Sequence, residues 1–136
     1  MSQMVMCRCP QRVPDGLKLT AVDATAFDFG VERDAIAVFG GPLEDWFRVE
    51  PTDCHWDDLL SDASGFGPPI AGTRFEASLL ALAESCQEVA IWYPNDEKGE
   101  IPVVDDPVEF AGTVTAEVGR GNIEPKLRFV RRPQTR

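Results

Sequence analysis

Thr73-Arg74-Phe75-Glu76 constrains this chain more than any other stretch. A Thr three residues ahead of a Glu is a capping box. The hydroxyl accepts from the Glu backbone N–H, and the carboxylate reaches back to the Thr backbone N–H. Phe75, Leu79, Leu80, Leu82 and Ala83 then recur at helical spacing, with Glu84 and Gln87 outside the stripe. This predicts a helix from about residue 74 to about residue 86. Glu88 to Tyr93 (EVAIWY) predicts a strand directly behind it, ended by Pro94-Asn95-Asp96.

A second start signal stands at Asp106-Pro107-Val108-Glu109. Asp106 suits the N-cap, and Pro107 the first helical position, where its missing N–H costs nothing. The helix is expected over about 107–117; Thr113, Val114 and Thr115 are poor helix formers, which leaves room for an earlier end. Leu17–Asp23 alternates as a first strand, and Ala35–Phe39 (AIAVF) reads as a buried strand stopped by Gly40-Gly41-Pro42. Leu43–Val49 fits either a strand or a helix start. Asp53 is the expected cap of a short helix carrying Trp56, Leu59 and Leu60. Ser64–Gly72 is a Gly/Pro-rich loop. Lys126–Arg132 (KLRFVRR) reads as a strand at a sheet edge, where cationic neighbours discourage further pairing. The expected fold is therefore α+β or mixed α/β, a four- to five-stranded mixed sheet packed with about three helices.

Length bounds the rest. The 136 residues predict a single domain over 1–136, with a flexible N-terminal segment at 1–15 and a basic C-terminal tail at 131–136. A chain of this size buries roughly two-thirds of its unfolded surface, and its 43% apolar content is ordinary for a globular domain. No apolar run approaches the roughly 18 residues that span a bilayer. The N-terminus is too polar for a secretory h-region, so the expected location is the cytoplasm. Cys7, Cys9, Cys54 and Cys86 are accordingly expected as free thiols.

The net charge of −10 is unevenly placed. Residues 34–118 hold 18 acids against 3 bases, whereas residues 119–136 hold 1 acid against 6 bases. An acidic body disfavours non-specific binding to nucleic acid or anionic lipid, and favours a cationic partner.

Asp105, Asp106 and Glu109, with Asp96, Glu97 and Glu100 nearby, have the oxygen chemistry that Mg²⁺ or Ca²⁺ takes. They lack an EF-hand ladder, however, and Asp106 and Glu109 already serve a helix start. A general acid/base pair would need one of them in a low-polarity pocket, which a Gly/Lys/Asp-rich loop does not provide. Cys54-His55 beside Asp57 and Asp58 invites a Cys–His–Asp reading, but adjacent residues are poorly placed to bond one another. A zinc set of Cys7, Cys9, Cys54 and His55 has suitable atoms and an uncommon spacing. The expectation is therefore no metal and no cofactor. Trp46, Trp56 and Trp92-Tyr93 each lie close to several acids. An aromatic anchor rimmed by charge is the composition of a protein-binding hot spot; the alternative is that the indoles are core.

The passage Phe75–Phe110, helix, strand, acidic loop and helix, resembles a layout seen in small bacterial immunity proteins of contact-dependent inhibition and polymorphic-toxin systems. It covers about a quarter of the chain. The resemblance implies a cytoplasmic, stoichiometric inhibitor of a cognate toxin, often a nuclease, and carries no catalytic residues. A nuclease is basic where it meets phosphate, and an acidic inhibitor gains a steered on-rate against it. The expectation is a non-enzymatic binder of a basic protein. Its site residues would be Trp92, Tyr93, Asp96, Glu97, Glu100 and Asp105, with Trp46, Trp56, Asp57 and Asp58 as a second face. The rival readings are a small metal-dependent hydrolase using Asp105, Asp106 and Glu109, and a nucleic-acid mimic whose carboxylates are spaced like phosphates.

Overall fold

The computed structural model describes residues 4–22, 42–56, 58–59, 73–92, 101–120 and 126–132. Six strands form one mixed sheet: β1 (Met4–Arg8), β2 (Leu17–Ala21), β3 (Trp46–Pro51), β4 (Glu88–Trp92), β5 (Val103–Val104) and β6 (Leu127–Val130). Their order is β2-β3-β1-β4-β6-β5. All neighbours are antiparallel except β5 and β6. A parallel pair needs a crossover, and the helix α2 (Pro107–Gly119) supplies it. The other described helix is α1 (Arg74–Ser85). The class is α+β as expected, with more strands than the pattern predicted and two described helices rather than about three.

The local signals of both helices are realised. The Thr73 hydroxyl accepts from the Glu76 N–H at 3.2 Å, and the Asp106 carboxylate accepts from the Glu109 N–H at 3.1 Å. Each satisfies one of the orphan donors of a first turn. The helix α2 runs past its expected end, and the weak formers at 113–115 do not shorten it. Val114 and Val118 are buried against the sheet, Thr115 bonds back to the Ala111 carbonyl at 2.7 Å, and the helix continues to Gly119. Packing outweighs the few tenths of a kcal/mol that roughly separate Thr from better formers.

The core lies between the helices and one sheet face. Odd-numbered strand residues point into it: Val5, Cys7, Leu17, Val49, Val89, Ile91, Leu127 and Phe129. Phe75, Leu79, Leu82 and Ala83 of α1 and Phe110, Ala111, Val114 and Val118 of α2 meet them. The Phe110 and Phe129 rings lie 6.1 Å apart. Each large side chain buried here contributes about 1.5–3 kcal/mol relative to exposure.

Three expectations are corrected, and one that was open is resolved. The N-terminal segment is not loose over residues 4–8, because β1 lies inside the sheet, between β3 and β4. Leu43–Val49 divides into a 3-10 turn at Leu43–Asp45 followed by strand β3. Asp53 does not cap the turn at Trp56. Asp58 does the local work by accepting the His55 backbone N–H at 3.0 Å, while Asp53 binds Arg74 through two hydrogen bonds, one of 3.1 Å. Finally, β6 is not at the edge, because the two-residue β5 covers its outer side. The strand expected at 35–39 and the loop at 64–72 lie outside the described residues. Gly16 takes φ +82° in the turn closed by the Leu17 N–H on the Pro14 carbonyl at 3.2 Å, a left-handed position that favours glycine.

Candidate functional site

The acidic entry to α2 is the described part of the expected binding face. Asp105 and Asp106 follow β5 and are both exposed. Asp105 is not a free carboxylate: Arg132, just past β6, binds it, with Nε at 2.8 Å. Asp106 holds the first turn of α2 through one oxygen. The two acids therefore point to separate tasks, a strand-end ion pair and a helix cap. Glu109, also exposed, is one turn into the helix. Among the described residues, no three His, Cys, Asp or Glu side chains are grouped to hold a metal ion. Tyr93, Asp96, Glu97 and Glu100 lie outside the described residues. Trp92 closes β4 opposite Met4, and only its backbone is described.

The second expected face is rearranged. Trp46 is fully buried on the sheet face away from the helices, where it stands opposite Arg8 in the β1–β3 register. Trp56 is also buried. Its indole N–H donates to the Val49 carbonyl at 2.8 Å, and its ring meets Phe75 edge-on at 6.2 Å. A buried indole with its one donor satisfied stabilises this chain's own core and has no ring face to offer a partner. Trp46 and Trp56 thus leave the list of exposed anchors. Asp58 remains exposed but is tied to the His55 N–H, and Asp57 lies outside the described residues.

The cysteines do not assemble into a reactive or metal-binding centre. All four are free thiols. Cys7 pairs with Phe47 near the start of β3, whereas Cys54 follows the opposite end of that strand, so the proposed zinc set is split. A hydrogen bond with Cys86, reinforced by burial, pushes the Cys7 thiol far above the ordinary range. Burial and the Asp53 charge also push the Cys54 thiol up. Thiols raised in this way stay protonated and are poor nucleophiles.

What sequence reasoning missed is an ionic triad on the sheet face away from the helices. Glu88 opens β4 with its side chain only 1% exposed. The Arg8 Nε donates to it at 3.1 Å from β1, and Arg128 donates to its other oxygen from β6. The local sequences around Arg8, Glu88 and Arg128 give no sign that they meet. Only the register that sets Arg8 opposite Glu88 and Arg128 opposite Ala90 brings them together.

The basic C-terminal region is used in the same internal way. Arg131 donates to the Ala83 carbonyl at 2.7 Å and the Cys86 carbonyl at 3.1 Å, closing the C-terminal end of α1, and lies 5.5 Å from the Phe129 ring centre. Arg12 reaches Ser85, Arg74 holds Asp53, and Arg120 holds Glu117. Arg48 and Lys18 share Glu50. Meanwhile Asp15, Glu44, Glu84 and Glu109 are exposed. Most of the described arginines are thus engaged by carboxylates or carbonyls of the fold, while these four acids face water.

The chain is thus an α+β sheet protein of net charge −10. No protein-family model, no curated protein and no solved structure matches the chain. Among the described residues no helix is long and apolar enough to cross a membrane.

Proposed function

We propose that this chain is a non-enzymatic acidic binding protein that neutralises a basic protein by forming a stoichiometric complex in the cytoplasm. The partner we infer is a toxin domain with nuclease activity, which makes the chain an immunity protein of a contact-dependent inhibition or polymorphic-toxin system. One observation carries the reading. Residues 34–118 hold 18 acids against 3 bases, and the described arginines that could offset them are engaged within the fold. A surface of that kind raises the encounter rate with a cationic cleft and repels phosphate backbones.

The binding face in this reading is the segment joining β4 to α2, with Asp96, Glu97 and Glu100 supplying charge, Asp105 joining them if the partner displaces Arg132 from it, and Trp92 or Tyr93 the anchor. Asp57 and Asp58 keep a secondary electrostatic role. The test begins with co-expression of the chain and its neighbouring reading frames, where a tightly held basic polypeptide is expected to co-purify. Changing Glu97, Glu100 and Asp105 together to Lys should then weaken the complex by more than about 1 kcal/mol and flatten its dependence on salt. Binding and salt slope that both stay unchanged would dismiss this face, and recovery of no partner at all would dismiss the wider reading.

A further inference from the structure

We draw no further inference here: the strongest candidate, the buried thiol pair of Cys7 on β1 and Cys86 just past the C-terminal end of α1, carries nothing beyond the raised pKa of the Cys7 thiol and its hydrogen bond with Cys86, because both side chains are enclosed in the core and nothing in the structure shows a reactant or ligand that reaches them.

Discussion

The two faces of the inner strands are held by different physics. Toward the helices, β1, β4 and β6 present Val5, Cys7, Val89, Ile91, Leu127 and Phe129, an apolar surface that α1 and α2 cover. On the reverse, the same three strands present Arg8, Glu88 and Arg128, with the carboxylate buried between two guanidiniums. Apolar burial grows with area and tolerates substitution when volume is kept. A buried ion group tolerates the loss of a single member less well, because a partly desolvated charge then lacks that counterion. The helix face is apolar throughout, whereas the reverse face sets a buried carboxylate among the equally buried Met6, Trp46 and Ala90.

The sharpest way to break this contrast is to remove one member on each side. Glu88→Ala should cost about 3–5 kcal/mol, because Arg8 and Arg128 are left as neighbouring cations. Phe129→Ala should cost a similar amount, about 3–5 kcal/mol, through lost transfer energy and a cavity beside Phe110. Urea unfolding measures both. The two faces separate in rescue. Replacing Arg8, Glu88 and Arg128 together with apolar residues of similar volume should restore most of the Glu88→Ala loss, whereas no change on the reverse face should restore Phe129→Ala. A Glu88→Ala loss below about 1 kcal/mol would put the triad in the class of surface ion pairs and end the comparison.

Smaller effects sharpen the helix side. Thr73→Ala and Asp106→Ala should each cost about 1 kcal/mol, since each side chain accepts one first-turn N–H. Equal losses would show that the caps act locally, independent of which helix is better packed. Among the described residues, nothing outside the backbone of its own helix and its chain neighbours lies within 4 Å of where a Cβ on Gly112 of α2 would sit. Gly112→Ala should therefore stabilise the fold by about 0.5–1 kcal/mol, read as a higher urea midpoint. A loss instead would place a close contact over that face of the helix.

The smallest effect is at the exposed Asp53–Arg74 pair. Hydrogen bonding to Arg74 holds the Asp53 carboxyl below its usual range. A depressed folded pKa means that the ionised form is favoured by folding. The pair's contribution is present above the unfolded value of roughly 3.9 and is lost as pH falls through the folded pKa. The melting temperatures of the wild type and Asp53→Asn should differ slightly at neutral pH and converge in acid. A difference that persists unchanged at pH 2 would assign the effect to something other than this charge.

Legibility followed the range of the interactions. The capping boxes at Thr73 and Asp106, the α1 stripe and strand β4 were readable because their determinants lie within a few residues. Strand β1 was not. Met4–Arg8 joins a sheet buried on both faces at this point, with Met6 and Cys7 both fully buried, so it lacks the alternation that marks a half-exposed strand. Its partner β4 is also distant in the chain. Lys126–Arg132 was readable as a strand but misplaced at an edge, because the cation that looked like a guard against pairing, Arg128, is a counterion to Glu88. Of the expected site, the acidity was legible. The separate duties of Asp105 and Asp106, and the burial of Trp46 and Trp56, depended on neighbours that composition does not name.

By itself the sequence determined where α1 and α2 begin, that β4 follows α1, and that the chain is acidic. Those properties rest on short-range hydrogen bonds, helical periodicity and a count of charges. Tertiary structure decided that β1 lies inside the sheet, that Glu88 gathers Arg8 and Arg128, and that two of the tryptophans are core. The first two and the placing of Trp46 depend on strand register, which pairs residues tens of positions apart through backbone groups that every residue carries alike, and Trp56 depends on its packing against Phe75.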